Sequence, residues 1–121
     1  MSEPTHISDI LPDVLAEAEA KLTPALIIET VAAFYSVKPA DIRSSRRFAS
    51  LVRVRSIAIY LVRILTTLSL EEIGGVFNRD HSTVIHAINS IIQKMASDAE
   101  LAKQVALLES EISPDVPAAR T

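Results

Sequence analysis

The sequence predicts an all-α protein, a compact bundle of about six helices that contains a helix-turn-helix. Three observations carry this. Aromatic residues make up 4% of the chain and glycines number two, too few for the aromatic-rich strands and glycine-rich turns of sandwiches and barrels. Apolar residues recur at steps of three and four along most of the chain, the period of an amphipathic helix. Small polar residues that suit helix starts stand just ahead of several of these stretches.

At 121 residues and 49% apolar content, the chain supports one domain with its own core. We expect residues 1–22 to form an N-terminal segment with an acidic helix, 23–112 the folded domain, and 113–121 a mobile tail. The expected first helix, from about Pro12 to Leu22, is acidic and alanine-rich and is a possible handle for a partner. The second has Thr23 as N-cap and Pro24 at its first position, where a missing N–H costs nothing. Leu26, Ile27, Val31 and Phe34 are its apolar positions. A break follows at Val37-Lys38-Pro39, then a loop from Arg43 to Arg47.

The long third helix, about Ser50 to Thr66, has two unlike halves. Val54, Ile57, Ala58, Leu61, Val62, Ile64 and Leu65 share one side of the wheel. Arg53, Arg55, Ser56, Tyr60 and Arg63 share the other, with Ile59 as an apolar intruder. Ser69 and Glu72 form a capping box for a short helix to about Phe77. After Asn78 and Arg79, Asp80 caps a longer helix to about Ala96 whose buried stripe is Val84, Ala87, Ile88, Ile91, Ile92 and Met95. Ser97 and Glu100 look like a second capping box, opening a last helix with Leu101, Val105, Leu108 and Ile112 inward.

Several function classes drop out. There is no cysteine, so disulfides and cysteine-based zinc sites are excluded. No secretory pattern and no apolar run of about 18 residues is present. The chain opens with Met1 and reads as a complete small protein, cytoplasmic and nucleoid-associated. Asp80, His81 and Ser82 include the residue types of a hydrolase triad, but consecutive helical side chains diverge, so catalytic residues are expected to be none. His81 and His86 are five apart, a poor spacing for a shared metal, and neither metal nor cofactor is expected. His86 reads as a structural residue at a helix–helix contact, and Gly74 as the small residue that lets the two motif helices approach.

Net charge is -3, but its distribution is uneven. Between Lys38 and Thr67 stand seven basic residues and one acid, Asp41; the rest of the chain holds five basic residues and fourteen acids. A local surplus of six positive charges is the footprint of a polyanion partner. A short helix, a tight turn and a second helix with a small polar start suits the major groove of double-stranded DNA. Asp80, His81, Ser82 and Thr83 would meet base edges there. Arg46 and Arg47 would reach into a minor groove. The competing class is a protein-interaction module, supported by the acidic first and last helices.

The stretch from Lys38 to Ala87 resembles the C-terminal DNA-binding domain (domain IV) of the bacterial chromosomal replication initiator family, DnaA. The matching residues are Ser45-Arg46-Arg47, Arg53-x-Arg55, Ser69-Leu70-x-Glu72-Ile73-Gly74 and, most specifically, Arg79-Asp80-His81-Ser82-Thr83-Val84-Ile85-His86-Ala87. The resemblance implies a DnaA C-terminal, Trp-repressor-like fold that binds a short asymmetric DnaA box as a monomer. It implies base contacts from Asp80, His81, Ser82 and Thr83, and a minor-groove contact from Arg47. It places Arg55 and neighbouring basic residues such as Arg63 on the DNA backbone. Arg53, Ser56 and Arg79 complete that backbone set, with Lys38 added on charge alone.

Three departures stand out. Val54 replaces the family's usual Pro, Ser56 its usual Gln, and Asn78 alone its glycine pair, so site preference can differ from the standard box. Asn tolerates the left-handed conformation, and the turn can still close. No Gly-rich loop ending in Gly-Lys-Ser/Thr is present, so ATP binding by that route is not expected. Such a domain would compete with replication initiator proteins or act as a small transcriptional regulator.

Overall fold

The computed structural model describes residues 22–113, and these form six helices joined by short connections. They are α1 (Pro24–Tyr35), α2 (Pro39–Arg43), α3 (Ala49–Leu65), α4 (Leu70–Phe77), α5 (His81–Ser97) and α6 (Ala99–Ile112). Apart from Leu22 and Ser113, the expected acidic helix and the expected tail lie outside the described residues. Among the described residues no helix is long and apolar enough to cross a membrane.

Local chemistry sets the boundaries. The Thr23 hydroxyl accepts the Leu26 N–H at 3.2 Å, and Pro24 opens α1. Ser36 ends it in the left-handed region at φ 58°. The chain breaks at Val37 and Lys38 as expected, but Pro39 then opens the short α2 rather than leading straight into a loop. At α4 the capping box closes in both directions: Glu72 N–H to Ser69 Oγ at 3.1 Å, and Ser69 N–H to Glu72 Oε1 at 2.8 Å. The start of α6 departs from expectation. Ser97 is the last residue of α5, and Asp98 is the cap, its carboxylate accepting the Leu101 N–H at 3.1 Å.

α3 runs through the middle, packed against α1, α2, α4 and α5. Being enclosed on several sides, it buries more than one stripe, so Ile59 is 1% exposed although the wheel put it on the polar half. The expected inward residues Val54, Ile57, Ala58, Leu61 and Val62 are buried, as are Leu101, Val105, Leu108 and Ile112 of α6. The stripes of α1 and α5 are narrower than expected. Leu26, Phe34 and Ile92 lie at their margins and remain 36%, 37% and 48% exposed, while Ile28 and Ala32 go inside. Tyr35 ties α1 to α6 through its hydroxyl, which donates to Gln104 Oε1 at 2.7 Å. Burial raises the Tyr35 pKa, partly offset by Arg53.

Gly74 sets the distance between α4 and α5. A Cβ there would stand 2.5 Å from the Arg79 carbonyl oxygen, with Val84 Cγ2 at 3.7 Å behind. The obstacle is backbone, and it cannot swing away. At Gly75 nothing lies within 4 Å. Gly74→Ala should therefore destabilise the fold by about 1–3 kcal/mol, whereas Gly75→Ala should stabilise it by about 0.5–1 kcal/mol through helix propensity. Urea unfolding of the two variants beside the parent checks this; equal midpoints for both would contradict it.

Candidate nucleic-acid interface

The helix-turn-helix consists of α4, a turn at Asn78–Asp80, and α5. Asn78 takes the left-handed conformation at φ 57°, which Asn tolerates better than most side chains. The Arg79 N–H returns to the Gly74 carbonyl at 2.9 Å, closing the turn. Asp80 then caps α5, its Oδ1 accepting from the Thr83 N–H at 2.9 Å and from Ser82 Oγ at 3.4 Å. The Thr83 hydrogen bonds chiefly, then Ser82 and His81, hold the Asp80 carboxyl below its ordinary 3.8. Beyond this cap His81, Ser82 and Thr83 are exposed at the helix N-terminus, where free N–H groups and the dipole favour anions.

Arg55 departs most from expectation. It does not lie on an open cationic face: the residue is 5% exposed, and its guanidinium faces the loop after α2. Nε donates to the Ile42 carbonyl at 2.6 Å, and Nη2 to those of Asp41, Ser44 and Arg46 at 3.1, 2.9 and 3.0 Å. Arg79 reaches the same place from the turn, its Nη2 donating to the Ser44 carbonyl at 2.7 Å and its Nη1 to the Phe77 and Asn78 carbonyls. Two residues expected on the DNA backbone thus fasten the arginine loop to α3 and to the turn. The Arg55 pKa is lowered by burial and then by the nearby Arg79 and Arg47 cations, a repulsion that an anion in front of the cluster would relieve.

A groove runs between the first half of α3 and the face of α5. Arg47, Arg53, Arg55, Arg79 and Lys94 all line it, and no carboxylate among the described residues does. Ser56 and Thr83 also line it. Arg46 is exposed beside it in the loop, its own carbonyl held by Arg55. Arg53 also pairs loosely with Asp98 at 3.6 Å, both side chains being 44% exposed. Lys38 and Arg63 are exposed but are not brought to the groove. Lys38 stands at the start of α2, and Arg63 lies ten residues beyond Arg53, donating to the Leu68 carbonyl at 3.3 Å.

Sequence reasoning missed the polar edge that α5 gives the groove beyond its first turn. His86, expected in a helix contact, is exposed and lines the groove with Ser90 and Lys94. The signal was their helical step from Thr83, at three, seven and eleven residues. Among the described residues no group of three or more His, Cys, Asp or Glu is placed to hold a metal.

The family model described as bacterial dnaA protein helix-turn-helix matches residues 24–91. The chromosomal replication initiator protein DnaA of Deinococcus radiodurans is 45% identical over 102 residues, covering 84% of this chain and 22% of that protein. The same protein of Paraburkholderia phymatum is 41% identical over 105 residues, covering 86% and 20%. A crystal structure of a DNA replication initiation factor matches with a TM-score of 0.69 at 36% identity, over 88% of this chain and 32% of that one. The chain spans about a fifth of the length of these curated relatives.

Two outcomes follow from this geometry. Arg55→Ala strands the carbonyls it serves and should cost about 3 kcal/mol of stability in urea unfolding, whereas Arg47→Ala, an exposed position, should stay within about 0.5 kcal/mol. Near-equal losses would refute the assignment of Arg55 as the fastener. For Asp80, a folded pKa below the ordinary value means its cap contribution is complete above pH 3.8 and is lost as pH falls through the lower folded value. Asp80→Asn keeps an equivalent cap without the titration, so its melting temperature should fall less steeply with acid than the parent's.

Proposed function

The chain belongs to the bacterial DnaA helix-turn-helix family, and on that premise we propose that it binds double-stranded DNA sequence-specifically at a DnaA-box-like site. As a domain of that kind it is a DNA-binding helix-turn-helix and not an enzyme. The observation that carries the finer reading is the acid-free cationic groove beside the exposed start of α5. In this reading α5 enters the major groove, and His81, Ser82 and Thr83 meet base edges with Asp80 beside them. Arg46 and Arg47 take the minor groove. Arg53, Ser56 and Lys94 hold phosphates along the cleft, and Lys38 and Arg63 add long-range attraction. Arg55 and Arg79 act through the loop they hold. The biological outcome is modulation of replication initiation or transcription, either by competition for boxes with replication initiator proteins or by occupancy of a regulatory site.

A second reading attaches to another surface. Leu26 and Phe34 of α1 lie exposed beside Glu29 and Glu111, a shallow acidic and apolar patch suited to a protein partner. Both readings can hold on one molecule.

Fluorescence anisotropy with a duplex carrying a DnaA box and a scrambled duplex separates them. The box should be preferred by about a hundredfold, about 2.7 kcal/mol, with affinity falling steeply as salt rises. Arg47→Ala should lower the log–log salt slope by about one. Equal affinity for both duplexes would reject box recognition, and absence of binding to either would leave the protein-interaction reading.

A further inference from the structure

Phe48 is the most exposed of the large apolar side chains among the described residues, at 65%. Its position is built rather than loose. Phe48 is the N-cap residue of α3, with φ −61° and ψ 138°, and its carbonyl accepts the Val52 N–H at 2.9 Å. Two residues earlier, the Arg46 carbonyl is held by Arg55, and the Ser44 carbonyl by Arg55 and Arg79 together. The backbone that carries the ring is thus anchored to both α3 and the helix-turn-helix turn.

The surroundings of the ring point to a ligand of unusual chemistry. Arg47 and Ala49, on either side of Phe48 in the chain, both line the cationic groove; Phe48 does not, and its ring is left exposed outside that lining, next in the chain to Arg46 and Arg47. Val52, one turn on in α3, is 39% exposed and lines the same groove. An exposed aromatic ring that directly follows two exposed arginines in the chain matches a partner that is anionic outside and stacked and apolar inside. A DNA duplex has that construction, and proteins that bind the minor groove commonly press apolar side chains between base steps.

We propose that Phe48 is a wedge: as Arg46 and Arg47 engage the minor groove, the ring is driven against one base step and partly unstacks it. Pyrimidine–purine steps unstack most easily, so the ring would select such a step without any hydrogen bond to it. Phe48 is then a specificity-determining residue for the box-binding reading above, on which this inference rests.

The test places 2-aminopurine, one position at a time, in a duplex carrying a DnaA box. Bound to the full chain, one step should brighten as its stacking is lost. Phe48→Ala should abolish that rise and weaken binding about tenfold, and Phe48→Leu, still a bulky apolar side chain, should keep most of both. Replacing the flagged step by a stiff A-tract step should weaken the parent but not Phe48→Ala. Circular dichroism melting of the variants guards against a folding artefact, and the step replacement needs no variant. Unchanged affinity and fluorescence in Phe48→Ala, with Arg47→Ala still impaired, would overturn the wedge and leave DNA binding standing. If the parent binds neither the box nor a scrambled duplex, the DNA reading itself fails, and the wedge with it.

Discussion

The arrangement of this domain hangs on one guanidinium. Arg55 projects from the central helix into a ring of backbone carbonyls, and through it α2, the arginine loop and α3 are tied together. Arg79 shares the Ser44 carbonyl, which brings the helix-turn-helix turn into the same unit. A buried cation is costly unless its donors are satisfied, and carbonyl oxygens satisfy these without introducing a carboxylate. That choice of partner has an electrostatic effect. The positive charge is not neutralised, so Arg55 serves the fold and still contributes to the potential of the groove it lines.

Much of this was legible from the chain. Thr23, Ser69 and Asp80 cap the helices they precede, because a short side-chain oxygen ahead of a helix has one good use. The helix-turn-helix was legible from Gly74, Asn78 and the small polar start of α5, and the structure sets a backbone oxygen 2.5 Å from where a Gly74 Cβ would stand. The uneven charge was also visible, and part of it, Arg47, Arg53 and Arg55, lines one groove. Other features were out of reach for physical reasons. A helical wheel separates apolar from polar residues but cannot tell a solvated arginine from one folded back on carbonyls, so it sets Arg55 on the open face. Ser97 and Asp98 are both good caps, and only the path of the chain decides that Asp98 ends one helix and begins the next. α2 has five residues, too few for a period to show.

The groove is not a simple cationic stripe. Of the arginines in this region, Arg55 and Arg79 spend their donors on the protein, and Arg63 points to a different connection. The charges free to meet phosphates are fewer than the composition suggests, but they are better placed. Thr83, His86, Ser90 and Lys94 follow one another along α5 at helical steps, so the helix offers the groove a continuous polar edge well past its first turn. The acidic surplus lies elsewhere in the chain, and the net charge of -3 describes no single face of the molecule.

The sharing of the Ser44 carbonyl between two arginines has a thermodynamic reach beyond holding a loop. A loop that is ordered before it meets a ligand loses little chain entropy on docking, and it buries only the surface of the contact itself. Association should then resemble the meeting of two rigid bodies, with a small heat-capacity change set by interface area rather than by coupled folding. Differences in affinity between sites would be written mainly in how long each complex lasts, not in how quickly it forms.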